Sequence, residues 1–306
     1  MQRFFLPELI AKKDAVVSLE AIHNQLRRVL RVKPGVQVIV LDNAGNERLL
    51  EVESVERRDT TARVLEVRPA PAEPVVGLTL YQCILKTDKF EMVLQKATEL
   101  GATTIVPVIS SRTVARPGRA LENKQKRWDA IVREAAEQSG RGALPVVAPA
   151  CLFDEALENA TGTRLLPWEE GTSNPGLLAV LGKASQPVEG VSLLIGPEGG
   201  LEAGEVDAAS DAGWQVVTLG PRILRAETAA ITTLSIVTSA LGWTGDAATV
   251  KVAAPSKSSK ATVRPTTDKR ADVEIEATPV EKTKAEKAAP LKDKDKVEAE
   301  EKSAAA

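Results

Sequence analysis

The chain reads as an α/β protein, a parallel sheet covered by helices and preceded by a small all-β module. Three observations lead there. From residue 75 onward, apolar runs alternate with helix-forming segments, which is how a parallel sheet covered on both faces reads in sequence. Before residue 72 the apolar runs are short, and Asn43-Ala44-Gly45-Asn46 supplies a hairpin turn between two of them. Between Leu193 and Thr228, two apolar runs each stop at a glycine-rich turn, Gly196-Pro197-Glu198-Gly199-Gly200 and Gly220-Pro221-Arg222, and helix-forming sequence follows each. The expected organisation is a β-barrel or sandwich over 1–72, an α/β domain over 75–245 and a low-complexity tail over 246–306.

In the first module, strands are expected at 36–41, 48–55 and 62–67, with a short helical stretch contained within 15–30 that carries His23, Arg27 and Arg28. Pro69-Ala70-Pro71-Ala72-Glu73-Pro74 marks the linker. Strand 77–85 then leads to helix 89–100, with Asp88 placed to cap it and Gly101 to end it. Strand 104–109 precedes a long helix over 121–139 that stops at Gly140. Strands at 146–148, 163–166, 192–195 and 215–219 alternate with helices near 154–158, 175–183, 203–212 and 227–241. The last helix carries no charge after Glu227, so it should be buried in the core or against a partner chain. Beyond Asp246, Lys, Glu, Ala, Pro, Ser and Thr dominate and aromatics vanish, so too little apolar surface is available to offset the entropy of ordering, and the tail is expected to be disordered.

Composition narrows the chemistry. No apolar run approaches membrane-spanning length, and Pro7 and Glu8 interrupt any signal-peptide layout at the N-terminus, so a cytoplasmic protein is expected. Cys83 and Cys151 lie far apart and read as two reduced thiols. His23 is the only histidine, which excludes multi-histidine metal sites, and no metal is expected. The net charge of -2 restricts any nucleic-acid site to a local patch, because such affinity comes from Lys and Arg neutralising phosphates. Two patches qualify, Arg27, Arg28, Arg31 and Lys33, and Arg112, Arg116, Arg119, Lys124, Lys126 and Arg127; ordinary solvated faces are the alternative for each.

The paired turns are the ligand candidate. In open α/β sheets, ligands sit beyond the carboxyl ends of strands, and glycine there lets backbone groups approach without an intervening Cβ. No Gly-Lys-Ser/Thr follows, so a P-loop is unsupported.

These residues, with Ile223-Leu224-Arg225-Ala226-Glu227-Thr228 after the second turn, resemble the RsmE family, bacterial enzymes that methylate N3 of a uridine in 16S ribosomal RNA. The resemblance runs from Met1 to about Trp243 and includes Gln95-Lys96-Ala97-Thr98-Glu99-Leu100-Gly101, Glu134-Ala135-Ala136-Glu137-Gln138-Ser139-Gly140-Arg141, and His23 with Val29-Leu30-Arg31. It implies a SPOUT-type parallel sheet with a C-terminal trefoil knot, a PUA-like RNA-binding barrel in front of it, a homodimer, S-adenosylmethionine as cofactor and 16S rRNA of the small ribosomal subunit as partner.

On that resemblance Ile195, Gly196, Pro197, Glu198, Gly199, Leu219, Gly220, Ile223, Leu224 and Thr228 would hold the cofactor. Arg27, Arg28, Arg31, Arg112, Arg116 and Arg141 would bind RNA. Arg225 is the candidate partner for the acceptor nucleotide or the cofactor carboxylate, with a salt bridge to Glu227 as the alternative. Glu198 can accept from cofactor or substrate, or cap the helix near Ala203; Glu137 is either a substrate-facing carboxylate or an ion-pair partner of Arg141. Two other functions are open, a non-catalytic RNA-binding or ribosome-assembly factor and a methyltransferase of the same fold acting on transfer RNA.

Overall fold

The computed structural model describes residues 1–71, 73, 75–114, 119–171, 173–182 and 188–243. The tail expected over 246–306 and the RNA candidate Arg116 lie outside the described residues. The first sheet has five strands, β1 (Gln2–Phe5), β2 (Val16–Ser18), β3 (Gln37–Leu41), β4 (Asn46–Val55) and β5 (Thr60–Pro69), in the order β1-β3-β4-β5-β2. The hairpin between β3 and β4 turns where expected, with Asn43 and Gly45 both in the left-handed region (φ 55° and 99°).

Two features of this module were not expected. The short helical stretch expected within 15–30 runs over residues 20–29 and carries His23, Arg27 and Arg28, 3-10 at its start (Glu20–Ile22) and π at its end (Gln25–Val29), but ahead of it an unexpected strand, Val16–Ser18, pairs antiparallel with β5, as β-branched Val16 and Val17 favour. Arg31, at φ 51°, then ends the helical path. Strand β1 was too short to register as a pattern, yet it pairs parallel to β3 and sends consecutive phenylalanines to opposite sides. Phe4 enters the interior with Leu26, Val38 and Leu50, while Phe5 packs outward with Ile39, Leu41 and Ala136.

The second sheet contains β6 (Gly77–Cys83), β7 (Thr104–Ile109), β8 (Val146–Val147), β9 (Cys151–Leu152), β10 (Thr163–Pro167), β11 (Gly190–Ile195) and β12 (Gln215–Val217). Its order is β12-β10-β11-β6-β7-β8, with β9 also on β7, and its pairings are parallel. Central β11 is apolar on both faces because both are covered. Leu193 and Ile195 join the cluster under α1 (Thr87–Glu99), α2 (Arg119–Ser139), α4 (Leu177–Gly182) and α6 (Ala226–Ala240); Leu194 joins the opposite cluster under α3 (Phe153–Asn159) and α5 (Ala203–Asp211). Strand β12 ends sooner than expected: Thr218 makes only an isolated bridge to Gly176, and Leu219 leaves the sheet. Helix α6 buries Ala230, Leu234 and Val237 against α1, α4 and β11.

The seam between the two sheets is polar as well as apolar. Glu137 Oε1 accepts from the Phe5 N–H at 3.0 Å, and Arg133 donates to the Phe5 carbonyl at 2.7 Å. Strand β1 is therefore bonded to α2 through both backbone groups of one residue. His23 is buried, its Nδ1 2.8 Å from Thr60 Oγ1, and the thiol of buried Cys83 is pushed up to about 12 by desolvation. Both cysteines are free.

Asp42 fixes the β3–β4 hairpin. Burial pushes its carboxyl up, but hydrogen bonds from the Asn46 side chain and backbone, the Ala44 N–H and Arg48 outweigh this and bring it from 3.8 to about 2. A depressed acid stabilises the fold fully above its ordinary value and loses that contribution as pH falls through the folded one. Asp42→Asn should therefore cost about 1–3 kcal/mol at neutral pH. In urea denaturation its gap to wild type should close between pH 3.8 and about 2. A gap that stays constant over that range would remove the carboxylate charge as its source.

Candidate functional site

Parallel strands end on the same side of their sheet, so the segments leaving β10, β11 and β12 meet there. The turn after β11 contributes Ile195, Gly196, Pro197, Glu198 and Gly200 to a cleft of about 270 Å³; Ile223, Leu224, Arg225 and Ala226 form the facing wall. Pro167, which ends β10, Glu169 just beyond it, and Lys89, in the first turn of α1, complete it with Ala229. A smaller recess of about 40 Å³ shares Pro167, Glu169, Leu224 and Ala229 and adds Trp168, Thr218, Leu219, Gly220 and Arg222.

The glycines have separate tasks. Gly200 lies at φ +69°, and a Cβ there would meet Glu169 Oε1 at 2.2 Å. Gly220 lies at φ +109°, with its N–H held by Thr218 Oγ1 at 3.1 Å, and turns the chain out of β12. Past it the chain runs irregularly to Arg225, and the N–H groups of Leu219, Ile223 and Leu224 have no partner among the described residues. Ile223 is 81% exposed. Unspent backbone donors beside an apolar recess suit a flat heteroaromatic ligand with ring nitrogens, because they pair with it without desolvating a side chain.

Charge in the cleft is arranged around Lys89, whose Nζ is 3.6 Å from Glu227 Oε2 and 3.9 Å from Glu198 Oε1. Glu227 is buried, and its Oε2 has no hydrogen bond. Glu198 Oε1 also accepts the Lys86 N–H at 3.0 Å, which ties the Gly196–Gly200 turn to the start of α1. Thus Asp88 does not cap α1; it lies inside the first turn, the cap position is Lys86, and the carboxylate comes from Glu198 across the sheet. Nor does Glu198 cap α5, whose capping pair is Glu202 with Glu205.

The structure brings Ile195, Gly196, Pro197, Glu198, Ile223, Leu224 and Arg225 to one cleft and Leu219 and Gly220 to the recess beside it. Arg225 is exposed and makes no bond to Glu227, which Lys89 takes instead. Thr228 is exposed on α6 and lines neither cavity. Gly199 also stands outside, and a Cβ there would meet Arg112 at 3.4 Å rather than the cleft. Sequence reasoning missed Lys89, Pro167, Glu169 and Gly200. The signal for Pro167 and Glu169 was available, since they lie at the end of a third strand that stops on the same edge.

Glu137 lies outside the cleft and does not pair with Arg141. Glu137 lies at the seam, bonded to Phe5, its carboxyl raised by burial. Arg141, expected to bind RNA, is largely buried, its side chain 8% exposed: it pairs with Glu73 and donates to the carbonyls of Thr98 (3.1 Å) and Ala102 (2.6 Å). Glu73 further accepts the N–H groups of Gly142 and Ala143, so this cluster locks the linker onto the sheet. Arg112 donates to the Gly199 carbonyl at 2.9 Å and lies 3.5 Å from Glu202, beside the cleft. Arg27, Arg28 and Arg31 are exposed, with Arg27 bonded to the Arg57 carbonyl at 2.9 Å.

Comparison with known proteins gives a consistent result. Residues 71–238 match the family model described as an RNA methyltransferase domain. The chain is 35% identical over 237 residues to the ribosomal RNA small subunit methyltransferase E of Synechocystis, covering 77% of this chain and 76% of that protein. It is 31% identical to the Bacillus subtilis protein of the same name, covering 78% and 96%. Among solved structures, that of the Neisseria gonorrhoeae small subunit methyltransferase E bound to S-adenosylmethionine superposes with a TM-score of 0.70 at 33% identity, covering 78% of this chain and 97% of that one.

Arg141 yields a test of its place. Arg141→Met should destabilise the chain by about 2–4 kcal/mol in chemical denaturation, because it strands the partly buried Glu73 carboxylate and two carbonyls. Weakened RNA binding with unchanged unfolding would restore it to the RNA-facing surface.

Proposed function

This chain belongs to the ribosomal RNA small subunit methyltransferase E family of RNA methyltransferases, and on that premise we propose that it methylates N3 of a uridine in the 16S RNA of the small ribosomal subunit. It is an S-adenosylmethionine-dependent rRNA methyltransferase. The observation that carries the reading is the convergence of two glycine turns, with unspent backbone donors, on one cleft and the recess beside it. When bound, S-adenosylmethionine supplies an electrophilic methyl group.

The residues present fit that cofactor. The N–H groups of Leu219, Ile223 and Leu224 are placed to pair with the adenine, and Pro197, Leu224 and Ala229 supply apolar walls. Gly196 and Gly220 keep side chains out of the approach, while Ile195, Glu198 and Ile223 close the remaining sides. Arg225, exposed at the cleft mouth, is free to meet the acceptor nucleotide. The chain's main contribution is positioning, since methyl transfer needs an in-line nucleophile and no covalent catalyst. The target uridine must be unpaired or flipped out, because pairing occupies N3.

Other parts of the reading have separate support. The N-terminal module, a PUA-like barrel in this proposal, presents Arg27, Arg28 and Arg31 on one exposed segment, a local basic patch on a chain of net charge -2. Central β11, entering between β6 and β10, and α6, returning onto α1 and β11, suit a trefoil-knotted C-terminal half. A homodimer would cover exposed Ile223 and the uncharged outer face of α6. No described helix is long and apolar enough to cross a membrane, and the reaction belongs in the cytoplasm with ribosomal particles.

Two measurements test this. Gly220→Val forces a β-branched residue into φ +109°, a strain of about 1–3 kcal/mol that displaces Leu219 and Ile223. Calorimetric titration should find its S-adenosylmethionine affinity reduced at least about tenfold; wild-type affinity would exclude this loop from the cofactor site. Mass spectrometry of rRNA nucleosides should find 3-methyluridine missing from a strain lacking the protein, restored by wild type and not by Arg225→Ala. Restoration by Arg225→Ala would remove Arg225 from the site, and an unchanged 3-methyluridine level in the deletion strain would refute the substrate.

A further inference from the structure

We infer that Lys89 is a catalytic residue whose ammonium contacts a ring carbonyl oxygen of the acceptor uracil and stabilises the charge that develops as N3 is deprotonated. This rests on the methyl-transfer reading above. Lys89 is the third residue of α1, where the positive end of the helix dipole disfavours a cation. Violations of a local rule need compensation or a function. Compensation is present in Glu198 and Glu227, at 3.9 and 3.6 Å, but neither forms a hydrogen bond with the ammonium. Beyond those two ion pairs its ammonium makes no hydrogen bond among the described residues, although its side chain is only 30% exposed and lines the cleft.

Lys96, one helical stretch further on, shows the ordinary arrangement, donating to both oxygens of Glu99 at 2.8 and 2.9 Å. Lys89 is instead held by charge with its donors unspent, which is how a group set aside for a ligand is preorganised. Glu227 accordingly acts as a positioning residue: its Oε2 is buried, makes no hydrogen bond and is ion-paired with Lys89. Arg225, two residues earlier at the cap of α6, is exposed and suits the nucleotide backbone, leaving the base edge to Lys89.

The chemistry requires such a cation. The N3–H bond breaks and its proton passes to solvent water, while negative charge spreads onto the two flanking carbonyl oxygens. The N3 electron pair then forms the bond to the methyl carbon, and the carbon–sulfur bond breaks with its pair remaining on sulfur. An ammonium at a carbonyl oxygen stabilises the deprotonated base more than the neutral one, which lowers the barrier and not merely the binding energy.

The test compares wild type, Lys89→Met and Lys89→Arg as full-length chains. Single-turnover methyl transfer is measured on small-subunit rRNA particles containing either uridine or 5-fluorouridine, whose N3 is more acidic. On uridine, Lys89→Met should lose about 10²–10³-fold in rate at saturating cofactor, with S-adenosylmethionine affinity within about threefold of wild type by calorimetry. On 5-fluorouridine the deficit should shrink by at least about tenfold, because the base needs less help to ionise. Lys89→Arg should retain more activity than Lys89→Met.

Equal losses on both RNAs would overturn the inference in favour of a structural role. A loss of cofactor affinity with an unchanged saturated rate would overturn it by assigning Lys89 to the cofactor carboxylate. A wild-type chain that binds S-adenosylmethionine but modifies neither RNA would sink the methyl-transfer reading itself, and the inference with it.

Discussion

The parallel pairing of β10, β11 and β12 is the constraint on which the site depends. Because these strands run the same way, their carboxyl ends fall on one edge of the sheet, and the segments after Pro167, Ile195 and Val217 have to leave there together. Burial enforces the arrangement. Alternate residues of β11 enter cores on opposite faces, so a one-residue slip would place Leu194 among the partners of Leu193 and Ile195 and disturb both layers. The cleft is thus fixed by apolar packing well away from its own polar groups. The polar groups then join the turns to one another, Glu198 reaching the start of α1 and Arg112 the Gly199 carbonyl.

The N-terminal module is attached with similar economy. One residue, Phe5, inserts its ring among Ile39, Leu41 and Ala136 while both of its backbone groups are bonded by side chains of α2. Burial raises the Glu137 carboxyl, and the Phe5 N–H and the nearby Arg133 pull it the other way. An acid so placed sits unfavourably for the dipole at the end of α2, and the seam explains why it is there. The Glu73–Arg141 cluster performs the same service for the linker, engaging the ends of α1 and α2 together. RNA held by Arg27, Arg28 and Arg31 would therefore be held by a body fastened to the catalytic layer.

The strand–helix alternation was legible because each long element has an apolar period and a stop signal. β7 coincides with the expected 104–109, and α2 ends at Gly140, which takes φ +78°. What could not be read were the short strands β1, β2 and β9, whose pairing partners lie far along the chain. The glycine turns were visible as strand-ending turns on one edge, where they do line a cleft and the recess beside it, but the division of labour within them was not. Gly199 and Gly200 are equivalent in sequence, and only the backbone assigns the left-handed position to Gly200 and the close approach of Arg112 to Gly199. Arg141 looked like a free cation because its partner Glu73 is 68 residues away.

Charge is the property in which this chain departs furthest from a simple RNA binder, and the cleft shows how the difficulty is handled. Screening reduces the effect of exposed charges beyond about 8–10 Å, so a net charge of -2 says little about the field felt by one nucleotide. What decides is which cations are neutralised locally. Arg141 and Lys96 are consumed by carboxylates and carbonyls, and Arg112 by the Gly199 turn. Arg225 is not engaged, and Lys89 is engaged only by charge, without a hydrogen bond. The cations left at the rim of the cleft without a hydrogen bond are therefore Arg225 and Lys89, so the same backbone turns that shape the cleft determine where positive charge is presented at its mouth.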